Sequence, residues 1–245
     1  MRCVAIIQAR MGSSRLPGKV LKTLGGRTAL HSVITRVQQA SELDDVVLAT
    51  TDKPEDDPTA VEANKHGAMV FRGSEQDVLS RYLGASIMAK ADVVIRITAD
   101  CPLYDGPLLD RMLKLYKERV NRGENIDFFS NTLTRTFPIG LDTEIFPAKH
   151  LVTADQEAKT SYQREHVTPF IYQNPDRYTL LNHVESPDLS HHRWTLDTAE
   201  DYKFFQAVFS SFDNEPKRMT TGAIVDFLKE RPDIMAINAH VQQKP

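Results

Sequence analysis

Near the N-terminus, Arg10, Arg15 and Lys19 share the segment Ala9-Arg10-Met11-Gly12-Ser13-Ser14-Arg15-Leu16-Pro17-Gly18-Lys19 with two glycines and two serines. Such a set suits a polyphosphate. Glycine lets backbone N–H groups approach an anion, serine adds hydroxyl donors, and arginine grips phosphate oxygens through paired, charge-assisted hydrogen bonds. Two familiar phosphate motifs are excluded by spacing. Five residues separate Gly12 from Gly18 where a Walker A loop has four, and Val20 follows Lys19 where that loop requires Ser or Thr. The G-x-G-x-x-G pattern of dinucleotide sites is absent. A solvated basic turn is the plainer alternative, but three cations directly after an apolar strand favour an anion site.

A carboxylate complements these cations. Asp100 follows the apolar run Asp92-Val93-Val94-Ile95-Arg96-Ile97, and Pro102 prevents that strand from continuing. A turn-forming aspartate is one reading; a ligand for Mg²⁺, which prefers one or two carboxylates and some waters, is the other. Chemistry on a bound polyphosphate needs charge neutralised on the phosphorus under attack and on the departing phosphates, which such an ion supplies. Arg10, Lys19 and Asp100 are therefore the expected catalytic residues, and Ala9, Gly12, Ser13, Ser14 and Arg15 complete the nucleotide loop.

Further along, Asp142 and Glu144 lie two apart on an extended segment, hence on one face, where paired carboxylates can hold sugar hydroxyls. Arg164, Glu165 and His166 fall consecutively on an expected helix, so at most two of them can enter one pocket. A surface ion pair and a structural histidine are their ordinary alternatives. His191 and His192 are adjacent, which suits a loop pair better than a metal site, and Arg193 is expected to reach an anionic group of the acceptor.

Positioning these groups falls to an α/β pattern. Strands are expected at Arg2–Gln8, Val46–Thr50, Met69–Phe71 and Asp92–Ile97, with helices over 29–40, 56–66 and 75–88 between them. Alternation of this kind predicts a doubly wound, mostly parallel sheet whose ligands bind beyond the carboxyl ends of the strands, after Gln8 and Ile97. A helix is expected over 106–120, extended pieces at 127–129, 143–146 and 178–184, and a final helix over 221–229. Thr198-Ala199-Glu200-Asp201 reads as a capping box opening a helix with Tyr202, Phe205, Val208 and Phe209 inward.

The 245 residues suit one α/β domain able to bury its core without staples. A single domain over 1–245 is expected, with a nucleotide-binding half at 1–125 and a small α+β acceptor-binding and dimerisation half at 126–245. Lys and Arg number 30 against 33 Asp and Glu, a net charge of -3, so the chain offers no polycation for nucleic acid. Cys3 and Cys101 show no zinc-ligand spacing and read as reduced thiols. The first apolar run is too short for a signal sequence or a bilayer span, which predicts a cytoplasmic protein without a membrane partner.

The stretch from Ile6 to Lys19 resembles the start of the cytidylyltransferases that make CMP-activated acid sugars, nearest to the spore coat polysaccharide biosynthesis protein F (SpsF) type. Similarity continues through Ala49-Thr50-Thr51-Asp52, Phe71-Arg72-Gly73-Ser74, Arg96-Ile97-Thr98-Ala99-Asp100-Cys101-Pro102-Leu103, Arg164-Glu165-His166-Val167-Thr168-Pro169 and Trp194-Thr195-Leu196-Asp197-Thr198. It thus covers nearly the whole chain. The resemblance implies the Rossmann-like nucleotide-diphospho-sugar transferase fold, CTP as donor, a small sugar-type acceptor and a homodimer. It also implies that Arg72 and Thr98 join the nucleotide site, and that Asp100 and Asp197 share a Mg²⁺. Thr98 and Cys101 depart from the Gln-Gly-Asp-Glu-Pro-Leu segment of the KDO-activating enzymes, so cytosine preference is carried by the family resemblance alone. Two rivals are a glycosyltransferase of related fold, against which stands the lack of Asp-x-Asp after the fourth strand, and an idle nucleotide-binding protein, against which stand both metal carboxylates.

Overall fold

Residues of the first strand divide between two faces because side chains alternate along extended backbone: Cys3, Ala5 and Ile7 enter one apolar cluster while Val4 and Ile6 enter the other. Both faces are therefore covered, as a parallel sheet requires. Fully burying each of Val4, Ile6 and Ile7 contributes roughly 1.5–3 kcal/mol. The computed structural model describes residues 1–243; Lys244 and Pro245 of the expected 1–245 domain lie outside the described residues.

The strands are β1 (Cys3–Gln8), β2 (Thr23–Leu24), β3 (Arg27–Thr28), β4 (Asp45–Thr51), β5 (Met69–Gly73), β6 (Val93–Thr98), β7 (Phe128–Ser130), β8 (Glu144–Pro147) and β9 (Leu180–Asn182). The helices are α1 (Ala29–Val37), α2 (Asp57–Lys65), α3 (Val78–Met88), α4 (Gly106–Asn121), α5 (Lys149–Glu157), α6 (Ser161–His166), α7 (Pro169–Tyr172), α8 (Ala199–Ser211), α9 (Thr221–Glu230) and α10 (Pro232–Met235). Seven strands form one sheet in the order β5-β4-β1-β6-β8-β7-β9, and β2 pairs with β3 in a small hairpin. From β5 to β6 the strands run parallel, whereas β8 is antiparallel to both β6 and β7. The fold is the doubly wound α/β type expected, and the sheet continues across residue 125 into the second half of the chain.

Several boundaries shift for local reasons. The helix expected from Glu75 begins at Val78 because the Asp77 side chain accepts a hydrogen bond from Ser80 N at 3.0 Å, which caps it. Thr198 and Asp201 form the expected capping box at α8. Helices α5 and α7 were not legible: each buries too few apolar side chains to give a clear helical period, His150, Leu151 and Ala154 in α5 and Pro169, Phe170 and Ile171 in α7. No helix among the described residues is long and apolar enough to cross a membrane.

Candidate active site

Gln8 at the end of β1 lies in register with Thr98 at the end of β6, so the loops that follow emerge side by side. The first loop is anchored at both ends. Met11 N donates to the Asp56 carboxylate at 2.6 Å, Leu16 and Val20 are buried, and Gly18 takes φ 65°, a conformation glycine adopts without strain. Gly18 thereby opens the single 3-10 turn Lys19–Leu21 that aims the Lys19 side chain inward. The result is a cleft of about 250 Å³ whose walls include Ala9, Arg10, Gly12, Ser13, Ser14, Arg15, Lys19, Thr98, Asp100 and Glu165.

Asp197 reaches this cleft from the far end of the chain. Leu196 N donates to Asp100 O at 2.7 Å, and Trp194 N donates to Ile139 O at 2.7 Å, which fastens the segment beside the end of β6. Gly140 is needed there: its φ is +109°, and a side chain would collide with the Trp194 carbonyl. Lys19 Nζ then sits 2.8 Å from Asp100 Oδ2 and 2.6 Å from Asp197 Oδ1, while Arg15 Nη2 lies 3.2 Å from Asp197 Oδ2.

Electrostatics at this junction are dominated by compensation. Burial pushes the Asp100 carboxyl upward, but the Lys19 ammonium and hydrogen bonds from Lys19, Thr98 and Cys101 prevail and hold it at about 2. Burial pushes Lys19 down, and Asp100 and Asp197 outweigh it and raise its affinity for the proton above the ordinary range. A buried carboxylate, Asp197, and a half-buried one, Asp100, therefore converge on one cation. The position of the ammonium marks a place where oxygen ligands from both residues could hold a hard dication, and the all-oxygen donor set fits Mg²⁺.

A second cavity, of about 290 Å³, adjoins the first and shares Gln8, Thr98 and Asp100 with it. Asp142, Glu144 and His166 line it together with Arg96. Asp142 is held by Arg135 through contacts of 2.5 and 2.9 Å. Glu144 accepts from Arg96 Nη1 at 3.1 Å and from Thr168 Oγ1 at 2.9 Å. Between His166 and Thr168, Val167 adopts φ 71°, which for a β-branched residue costs on the order of 1–3 kcal/mol. That kink turns His166 toward the cavity while Thr168 meets Glu144. Burial lowers the His166 pKa, so its imidazole is neutral at pH 7.

Three expected site residues lie elsewhere. Arg72 is outside both cavities, donating to Thr51 O at 2.9 Å and pairing with Asp57 at 2.5 Å. Arg164 points away from the acceptor side to Asp77 and Asp155, because on α6 it faces the capped start of α3 rather than the cavity. Arg193 is buried and forms two 2.9 Å hydrogen bonds to Asp201, with Asp197 at 3.4 Å, so it braces these two carboxylates and lines neither cavity. Glu165 lines the basic cleft, not the second cavity where an acceptor contact was expected.

Other residues were missed. Arg96, Arg81 and Gln8 all line the cavities, and among the described residues Arg96 Nε, Arg81 Nε and Gln8 Oε1 are buried without a hydrogen-bond partner. A lone arginine inside Val93-Val94-Ile95-Arg96-Ile97 was a readable signal, since a charge within a buried strand must be compensated. Arg81 gave none, because a cation on a helix is usually a solvated one. A larger, more apolar hollow of about 650 Å³ is lined by Tyr104, Leu108, Phe137 and Met219 among others, and by none of the expected site residues.

The cytidylyltransferase family model matches residues 4–225. The chain belongs to this family. Spore coat polysaccharide biosynthesis protein SpsF of Bacillus subtilis is 34% identical over 236 residues, covering 93% of the chain and 94% of that protein. An uncharacterized protein of Methanocaldococcus jannaschii is 39% identical over 249 residues, covering 100% of the chain and 97% of its own length. A solved cytidylyltransferase from Leptospira borgpetersenii superposes with a TM-score of 0.90 at 35% identity, covering 100% of this chain and 99% of that one. The CMP-2-keto-3-deoxy-manno-octonic acid synthetase solved with CTP shares the fold, with a TM-score of 0.63 at 15% identity over 86% of this chain and 100% of its own. Within this cytidylyltransferase the loop from Ala9 to Lys19 and the two aspartates are separated by most of the chain, yet they close one cleft.

Proposed function

We propose that this cytidylyltransferase transfers CMP from CTP to an acidic sugar or sugar-like acceptor with release of pyrophosphate, in the synthesis of a cell-surface or spore-coat polysaccharide. The observation that carries this reading is the convergence of Arg15, Lys19, Asp100 and Asp197 at the border between a basic cleft and a second polar cavity. Arg10, Arg15 and Lys19, with the amides and hydroxyls of Gly12, Ser13 and Ser14, would hold the triphosphate. Asp100 and Asp197 would hold Mg²⁺, which when bound neutralises charge on the phosphates.

The acceptor occupies the second cavity. Arg96, ion-paired with Glu144, is the cation that lines that space and supports an acidic acceptor. Asp142 and Glu144 present oxygens to its hydroxyls. The acceptor oxygen attacks the α-phosphorus, the bond to the β-phosphate bridging oxygen breaks, and pyrophosphate departs. Neutral His166 takes the proton of the attacking hydroxyl. Most of the rate gain in such a reaction comes from positioning and charge compensation, so no covalent enzyme intermediate is needed. A homodimer in the cytoplasm belongs to the same reading and is checked by sedimentation of the full chain.

Incubating the protein with each nucleoside triphosphate, Mg²⁺ and a panel of acid sugars tests the proposal, with pyrophosphate release and nucleotide-sugar mass as readouts. CTP-dependent release with formation of a CMP-sugar is the expected result. Absence of pyrophosphate in every combination would overturn it, and consumption of a nucleotide-sugar supplied in place of the triphosphate would favour a glycosyltransferase.

A further inference from the structure

We propose that His31, Glu62 and His66 form a binding site for one borderline divalent cation of the Zn²⁺ type, distinct from the Asp100–Asp197 pair. His31 lies on α1, Glu62 on α2, and His66 immediately follows α2, four residues after Glu62 and so on the same face. One ligand atom from each of the three lies within 4.8 Å of the other two. The two imidazoles are already stacked, with centroids 3.7 Å apart and planes 26° from parallel. His66 Nε2 is 3.5 Å from Glu62 Oε1, and that oxygen accepts from Thr28 Oγ1 at 2.7 Å.

Two imidazoles and a carboxylate are the protein ligands of an open zinc site, with water completing the tetrahedron. Bonds of about 2.0–2.2 Å bring ligand atoms to within about 3.5 Å of one another, so closing the site turns the two rings out of their stack until their in-plane nitrogens aim at one ion. The hydroxyl of Thr28 orients the carboxylate, the part an outer partner plays in metal sites. All three residues are half-buried, which permits entry of an ion and exchange of its water.

Donor chemistry separates the two cation sites. Nitrogen ligands favour zinc, nickel or cobalt over magnesium, whereas the Asp100–Asp197 pair offers only oxygen. None of His31, Glu62 and His66 lines the basic cleft. An ion there would tie α1 to α2, and so to β4 and β5, on which α2 packs.

Metal-stripped full-length protein is dialysed against Zn²⁺ or Mg²⁺ and analysed for bound metal, with thermal unfolding as a second readout. The wild type and the Asp100→Asn/Asp197→Asn variant are expected to retain one equivalent of Zn²⁺ and to gain melting temperature with it. Glu62→Gln should bind at least about tenfold more weakly, and His31→Gln/His66→Gln should lose both the ion and the melting shift while keeping its circular dichroism spectrum. Failure of the wild type to take up zinc, or retention of the equivalent by either His31→Gln/His66→Gln or Glu62→Gln at undiminished affinity, would overturn the proposal. Because the readout is metal content and melting, it stands or falls separately from the transferase reading.

Discussion

Replacing Lys19 with Met removes the only charge among the described residues that touches both Asp100 and Asp197, while keeping an unbranched side chain of similar length. Asp100 is held at about 2 against an ordinary 3.8, a difference that corresponds to about 2 kcal/mol of preference for the ionised form in the folded state. The pair is largely screened from solvent, with side-chain exposures of 15% for Lys19, 23% for Asp100 and 10% for Asp197. Loss of the ammonium exposes the opposing effect of burial as well, so a destabilisation of about 3 kcal/mol is expected at pH 7. The sign follows from linkage: a depressed carboxyl stabilises the fold above its unfolded value and loses that contribution as pH falls toward 2. The difference between wild type and Lys19→Met should therefore be full at pH 7 and shrink as pH falls through the value to which burial, no longer opposed by the ammonium, raises Asp100 in the variant, and on toward 2. Urea unfolding across that range measures it. Millimolar Mg²⁺ should restore part of the lost stability of Lys19→Met, because a dication can replace the ammonium between the carboxylates, while CTP turnover stays low. Equal stability of the two proteins at pH 7, together with no response of the variant to Mg²⁺, would refute both the pairing and the assignment of the cation site.

Asp100→Asn should keep CTP binding in calorimetry yet lower the rate of pyrophosphate release by roughly a hundredfold, the consequence of about 3 kcal/mol lost from charge compensation in the transition state. Arg164→Ala should leave the acceptor KM unchanged, since Arg164 pairs with Asp77 and Asp155 outside the cavity, and should lower stability by about 1 kcal/mol in urea titration. His192 is buried, and burial followed by the nearby His191 pushes its pKa from 6.5 to about 4. A lowered histidine disfavours the folded state as pH falls from 6.5 toward 4, so wild type should lose about 2–3 kcal/mol on that interval relative to His192→Gln. Parallel acid-unfolding curves would count against a neutral His192.

The phosphate loop and its partner carboxylate were legible because both are local facts. A strand buried on both faces reads as a continuous apolar run, and whatever follows it must sit at the sheet edge where ligands bind. Gly18, Lys19 and Asp100 could thus be placed from spacing alone, and the capping box at Thr198 was written in four consecutive residues. Assignments that rested on residue type fared differently. Arg72, Arg164 and Arg193 were sensible anion ligands by residue type, but each found carboxylates or carbonyls nearer than any cavity.

What tertiary structure alone decided is which charges meet. Sequence determined the α/β alternation, the basic loop and the presence of Asp100 and Asp197, since periodicity and residue type are properties of short segments. The closure of Asp197 onto Lys19, the exposure of Arg96 to a second cavity and the approach of His31 to Glu62 and His66 depend on strand order and helix packing. Side-chain partnership is a distance between residues far apart in the chain, and the steep fall of hydrogen bonding and ion pairing with distance makes that a matter of the assembled fold.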